Sequence, residues 1–280
     1  MSAPATAAPH GRTTHAQHVV LAARLRRAGC VFAEEEAALL LRTASGAGDD
    51  PDRLEQLVRR REQGEPLEHL LGTVRFDGVD LAVGRGVFVP RVRTLTLAHR
   101  AIALARHRSV VVEAFAGVAP VAALVARTVP GTLVHATDVC PAARALARDN
   151  LPPDAAVHGG DVLTGLPAAL RGDVDVLAAV PPYVPLGAES LLSHEARDHE
   201  PARALYGGVD GLDLVRRLLR ESVPWLAPGG RLLVEIHRSQ VPDALGHAAA
   251  VGLTGSARRA DDGQTAVLEL LASQGVHSSR

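Results

Sequence analysis

The sequence predicts an α/β fold: a doubly wound, mostly parallel sheet preceded by a small helical domain and a β-hairpin linker. Three observations carry that expectation. After Arg108 short apolar strands alternate with helical stretches, which implies a parallel sheet covered on both faces. Before Gly64 three amphipathic stretches with helix start and stop signals follow one another. Between these regions glycines punctuate two short alternating segments, which is a hairpin signature.

Composition sets the bounds. The 280 residues suffice for one large domain and a small one. Hydrophobic residues make up 47% and aromatics 2%, so the core must be built from Ala, Val and Leu. Formal net charge is −1, which leaves no electrostatic footprint for nucleic acid. The chain contains no lysine, which excludes Schiff-base chemistry on a lysine. Cys30 and Cys140 stand far apart and the histidines are scattered, so neither a disulfide framework nor a metal site is expected. No apolar run approaches the roughly 18–20 residues of a membrane span, and the Ala/Pro/Thr-rich start lacks a signal-peptide core. A cytoplasmic protein that avoids membranes is expected.

Taken in order, residues 1–14 read as a disordered leader and 15–65 as a helical domain. Its first helix covers about 18–29 and stops at Gly29. The second covers 33–44, with Glu34, Glu35 and Glu36 placed early to suit the helix dipole. The third runs from Pro51 to Gln63, with Asp50 as its cap and Arg59, Arg60 and Arg61 at its basic end. Residues 66–90 form the hairpin linker, with strands at Thr73–Phe76 and Val79–Val83. Residues 91–273 form the sheet domain. It opens with a helix reaching about Arg106, and strands are expected at Ser109–Glu113, Thr132–Thr137, Ala155–Val157, Asp175–Val180, Arg231–Ile236, Leu253–Arg258 and Thr265–Leu271. Residues 274–280 read as a flexible tail.

Candidate chemistry gathers at the C-terminal ends of the strands, where open α/β sheets bind ligands. The strand before Val180 runs into Pro181 and Pro182, which fix φ and end the ladder, with Tyr183 at the tip. Glu113 ends the first strand and Gly117 follows it, and Asp138 follows the second strand and Asp161 the third. Acid, turn and helix N-terminus in that order suit a nucleotide-type cofactor. Arg91, Arg93, His194, Arg197, His199 and Glu200 add cationic forks and titratable groups expected near the mouth.

These motifs resemble a known family. The layout looks like a class I S-adenosylmethionine methyltransferase with a Rossmann-like, seven-stranded sheet. It is similar more narrowly to the HemK/PrmC family, which methylates the side-chain amide of glutamine in release factors. The resemblance rests on Arg59-Arg60, the stretch Gly64 to Gly72, Phe76, Gly78, Phe88-Val-Pro-Arg91, Glu195 to Leu212, and Leu226-Ala-Pro-Gly-Gly230. The family pattern Asp-x-x-x-Gly-x-Gly stands here as Glu113-x-x-x-Gly117-Val118-Ala119, and the family's Asn-Pro-Pro-Tyr stands as Val180-Pro-Pro-Tyr183. Ala119 adds a Cβ where the family has glycine, and Val180 offers no donor or acceptor to a substrate amide.

Read this way, the resemblance implies a kept fold with changed chemistry. The expectation is a biosynthetic enzyme that acts without S-adenosylmethionine on a small anionic or carrier-linked intermediate. It would catalyse elimination or cyclisation, as in aziridine closure by loss of sulfate. Tyr183, His199, Glu200 and Glu113 are the catalytic candidates. Arg91, Arg93, Val180, Pro181, Pro182, Arg197 and His194 would hold the substrate. Glu113, Gly117, Asp138 and Asp161 would hold S-adenosylmethionine if the ancestral site functions. Two alternatives stand beside this reading: an active S-adenosylmethionine-dependent N-methyltransferase with an altered substrate, and a non-catalytic partner subunit or homodimer.

Overall fold

The computed structural model describes residues 10–46 and 51–272. They fall into two compact units. One runs to Gly72 and takes in His194–His199; the other comprises Thr73–Ser193 and the chain from Glu200 onward.

The helical unit holds α1 (His10–Arg27), α2 (Ala33–Ser45), α3 (Pro51–Glu62), α4 (Leu67–Leu71) and the later helix His194–His199, which is α8 in chain order. Helix α1 starts at His10, so residues 10–14 are helical and not part of a disordered leader. Pro9 is the last proline before it, and nothing after His10 removes a helical N–H. Residues 1–9 and the expected tail at 274–280 lie outside the described residues, as does Asp50, the expected cap of α3. Leu21, Leu25, Ala37, Leu40, Leu57 and Leu70 meet in the core of this unit. Helix α4 falls where the sequence suggests a linker, and the burial of Leu70 in that core makes it helical.

A buried ion cluster ties this unit together. Arg61, 8% exposed, donates from Nε to Glu36 Oε2 at 2.6 Å and from Nη1 to Glu195 Oε1 at 2.6 Å. Glu36 is also buried, so the pair cannot be rescued by water.

The second unit opens with the hairpin β1 (Thr73–Phe76) and β2 (Val79–Ala82), turned by Asp77 and Gly78, both at positive φ. That Asp-Gly turn is the type that matches strand twist. A 3₁₀ turn at Val92–Thr94 leads into α5 (Leu95–Leu104). The main sheet and its helices follow in chain order: β3 (Val110–Ala114), α6 (Pro120–Thr128), β4 (Leu133–Asp138), α7 (Pro141–Asn150), β5 (Ala156–Gly159), β6 (Val174–Ala179), α9 (Asp213–Ser222), β7 (Leu226–His237), α10 (Val241–Ala250), β8 (Leu253–Arg259) and β9 (Thr265–Ala272). The seven strands lie in the order β5-β4-β3-β6-β7-β9-β8, parallel except for β9, which runs antiparallel to both neighbours. Strand β7 is longer than the sequence suggests. Leu226 already pairs with Val174, and an irregularity between Val174 and Val176 absorbs the Pro-Gly-Gly stretch.

Strand periodicity sorts the core onto two faces. Val111, Val134, Val176, Ala178, Leu233 and Val267 face α5 and α6. Val112, Ala114, Leu177, Ala179, Leu232 and Val234 face α9 and α10. Both faces are filled by Ala, Val and Leu, as the composition requires.

The link from β3 to α6 is braced from below. Glu113, 2% exposed, accepts from the N–H groups of Val121 at 3.3 Å and Ala122 at 2.7 Å, satisfying orphan donors of the first helical turn. Burial, offset in part by these two bonds, pushes its pKa up to about 8.

Two predictions follow from these burials. Arg61→Ala leaves Glu36 charged and unpaired inside the helical unit. It should lower stability by about 3 kcal/mol or more, read from the urea midpoint by circular dichroism. For Glu113 the folded state holds a proton that the unfolded chain releases near the ordinary value of 4.5. Its contribution is therefore fully present below that value and is lost as pH rises to about 8. Glu113→Gln should flatten the fall of the denaturation midpoint over this window; an unchanged profile would sink the assignment.

Candidate active site

The parallel register brings the candidate residues together. Glu113 lies opposite Ala178 of β6, and Ala178 opposite Leu233 of β7. Pairing of β6 with β7 continues to Ala179 and Val234, and the next residues on each chain are Val180 and Glu235. By alternation Glu113, Val180 and Glu235 all project to the face covered by α5 and α6. Val180 packs against the apolar cluster on that face.

The turn after β6 is held rigidly. Pro181 and Pro182 are buried. Gln240 Nε2 donates to the carbonyls of Tyr183 at 2.9 Å and Asp210 at 3.0 Å. A Cβ on Gly207 would sit 2.3 Å from the Pro182 oxygen, and one on Gly211 2.1 Å from the Tyr183 oxygen, so only glycine lets these chains close on the turn.

Beyond the backbone, Tyr183 sits in a polar cluster. Arg93 Nε donates to Tyr183 Oη at 3.2 Å, and Tyr183 Oη donates to Glu235 Oε1 at 3.3 Å. Arg93 also lies 3.6 Å from Glu235. Burial and the neighbouring Glu235 charge push the Tyr183 phenol up to about 12, against the opposing pull of Arg93. Burial likewise raises the Glu235 pKa, opposed by Thr94, Arg93 and Tyr183. Arg91 forms a separate pair: its Nη2 donates to Glu200 Oε1 at 2.6 Å, which also accepts from Val89 N, and its guanidinium lies over the Phe88 ring.

The expected cofactor residues lie on the loops at the strand ends. Asp138 accepts from Gly117 N at 2.8 Å and Cys140 N at 2.7 Å, joining the loops after β3 and β4. Asp161 pairs with Arg217. The loop from Phe115 to Ala119 takes left-handed φ values at Phe115, Gly117 and Ala119. Ala119, at φ 61 and ψ 49, keeps a conformation that glycine adopts readily. Its side chain turns into the core, as does that of Val118, which meets Val83, Val87, Cys140 and Ala143. The Cβ expected to intrude on a cofactor therefore points inward. Left-handed alanine costs about 1–2 kcal/mol, while its buried methyl returns about 0.8 kcal/mol, so the residue is tolerated at little net cost.

The candidates are divided between the two units. His194, Arg197 and His199 belong to the helical unit, where Arg197 pairs with Asp198 and His194. Glu200 belongs to the sheet unit, where it pairs with Arg91. Glu235 and Gln240 were not singled out from sequence. A lone acid inside Leu232-Leu-Val-Glu-Ile236, a strand apolar on both faces, is the signal that could have found Glu235. Among the described residues Thr137 Oγ1, Glu200 Oε2 and Glu235 Oε2 are the buried side-chain atoms without a hydrogen-bond partner.

No family model matches the chain. A release factor glutamine methyltransferase of Streptomyces coelicolor is 40% identical over 64% of this chain and 66% of its own length, just short of two thirds. One from Deinococcus radiodurans is 36% identical over 79% of this chain and 84% of its own. A 4-amino-L-phenylalanine/4-methylamino-L-phenylalanine methyltransferase of Streptomyces pristinaespiralis is 36% identical over 68% of this chain and 67% of its own length. Among solved structures, a methyltransferase from Pyrococcus furiosus matches with a TM-score of 0.52 at 19% identity over 69% of this chain and 88% of that one, a likeness of fold. The relatives overturn the expectation of elimination or ring closure without S-adenosylmethionine, aziridine formation included, and with it the expectation of no cofactor. They are named for methyl transfer. The inward Cβ of Ala119 removes the physical ground for that expectation at the loop after β3. The chain belongs to the release factor glutamine methyltransferase family.

Proposed function

We propose that this protein is an S-adenosylmethionine-dependent N-methyltransferase whose acceptor nitrogen is not the glutamine side-chain amide. The observation that carries the second half is Val180. It heads a turn whose backbone is clamped by Gln240, Gly207 and Gly211, yet its side chain can pair with nothing. A buried substrate carboxamide left without that partner costs about 1–3 kcal/mol per unpaired group. An amine acceptor, free or carrier-linked, does not carry that cost. The relative named for 4-amino-L-phenylalanine supports an amine within this family.

The residues present fit the cofactor. A Cβ built on Gly117 meets nothing within 4 Å, so the backbone after β3 is open to close approach. Asp138 offers a carboxylate suited to a ribose diol, and its backbone partners hold the two flanking loops in place. Glu113 fixes the start of α6 from beneath and leaves the helix N-terminus in position. Asp161 would flank the same cofactor. When bound, S-adenosylmethionine supplies an electrophilic methyl group on a sulfonium. The chain's own part is to orient the acceptor: Val180, Pro181 and Pro182 provide a rigid apolar wall, and Tyr183 provides the polar atom at its end. Orientation of this kind accounts for much of the rate in a displacement between two bound partners.

Calorimetric titration should show S-adenosylmethionine binding with a Kd on the order of micromolar. Absence of binding would remove the reading altogether. With labelled cofactor, methyl transfer to 4-amino-L-phenylalanine should exceed transfer to a glutamine-containing peptide, and equal or reversed transfer would count against a changed acceptor. Val180→Asn should raise transfer to the peptide by about tenfold, the effect of restoring one buried hydrogen bond. Ala119→Gly should leave cofactor affinity within about threefold, because the alanine Cβ faces the core; a gain of about a hundredfold would show that Ala119 obstructs the cofactor after all.

A further inference from the structure

Glu235 is 1% exposed and stands within the apolar run Leu232–Ile236 of β7. A carboxylate buried there is costly unless its oxygens are engaged, and Oε2 has no hydrogen-bond partner. The residue stands level with Val180, the position where the family pattern has asparagine.

With Glu235 ionised, the direction of the hydrogen bonds in this cluster follows from the donors and acceptors present. A guanidinium has donors and no acceptor, so Arg93 can only donate to Tyr183 Oη. The phenol has a single proton, and the oxygen it reaches is Glu235 Oε1. Once both bonds are made, Tyr183 has no proton left to offer. What remains on Oη is accepting capacity, and Glu235 Oε2 is an acceptor as well. With Val180 silent, Tyr183 and Glu235 present acceptors only, and the donors left at the turn are those of Arg93, one of whose N–H groups is already given to Tyr183. A carboxamide needs a donor for its carbonyl as well as an acceptor for its N–H; an amine needs only the acceptor.

We propose that Glu235 is a positioning residue that turns the Tyr183 phenol proton inward, leaving Tyr183 Oη as the hydrogen-bond acceptor for an N–H of an uncharged amine, so that the pair selects amines over carboxamides. The proposal rests on the N-methyltransferase reading. It adds the group that recognises the acceptor and the reason for its preference. Holding one N–H on Tyr183 also fixes the direction of the nitrogen lone pair, which is the productive geometry for attack on a methyl group.

The test is calorimetric binding, independent of turnover, with the wild type, Tyr183→Phe, Glu235→Gln and the double variant. The probes are 4-amino-L-phenylalanine and 4-carbamoyl-L-phenylalanine, each titrated into protein saturated with S-adenosylhomocysteine. The wild type should bind the amine about tenfold or more tightly than the carboxamide. Each single variant should lose about tenfold in amine affinity, and the double variant no more than either single, because both break the same link. Affinity for S-adenosylmethionine should stay within about threefold in all four proteins, as required of a residue that acts on the acceptor alone.

Unchanged amine affinity in Glu235→Gln, losses that multiply to about a hundredfold in the double variant, or a preference of the wild type for the carboxamide would overturn the proposal. If Glu235→Gln fails to fold, Tyr183→Phe removes only the oxygen and decides the matter alone: unchanged amine affinity there is equally fatal. Failure of the wild type to bind S-adenosylmethionine at all is a different result. It would strike the methyltransferase reading on which the proposal rests.

Discussion

Glu113, Ala178 and Leu233 lie side by side across three parallel strands, and the arrangement of the mouth depends on that row. It puts Val180 and Glu235 level with each other just beyond the paired residues. It also sends Glu113 and Glu235 to the face where α5 and the preceding 3₁₀ turn bring Arg93 and Thr94. A slip of one residue in β7 would exchange Glu235 for Val234 or Ile236 and put the carboxylate among the apolar side chains under α9 and α10. Register and chemistry are therefore one constraint. The apolar residues on both faces of β3, β6 and β7 hold the register that the polar ends require.

Three carboxylates are buried in the sheet unit around this edge, and each is accommodated differently. Glu113 accepts helix N–H groups, Glu200 takes the Arg91 guanidinium, and Glu235 relies on Tyr183 and the nearby Arg93. None of the three is the cheapest way to fill a core, since removing a charge from water costs several kcal/mol before partners are counted. The raised pKa values of Glu113 and Glu235 express that cost. The sheet unit tolerates it because Ala, Val and Leu fill nearly everything around these groups.

Two of the departures from the family pattern, at Ala119 and Val180, differ in physical character. At Ala119 the added methyl group enters the core and the backbone keeps its left-handed turn, so the change is close to neutral. At Val180 the turn that follows is held by Gln240, and the side chain carries no polar atom where the family pattern has an amide.

Much of this protein was legible in the sequence. Alternation of strand and helix announced a parallel sheet, and glycines and prolines marked its turns closely: β1 spans Thr73–Phe76, as the sequence reading has it. These features are local, set by periodicity and by residues that restrict φ. The family resemblance was legible too, because it lies in short runs of neighbours. What the sequence alone could not decide was which polar residues meet. His194, Arg197 and His199 look like companions of Tyr183 along the chain, yet they belong to the helical unit, whereas Arg93 and Glu235 come to Tyr183 from positions remote in sequence. The direction of the Ala119 side chain was hidden for the same reason. A Cβ's neighbours depend on the backbone dihedral of its residue and on the packing of distant elements, and only the tertiary structure sets both.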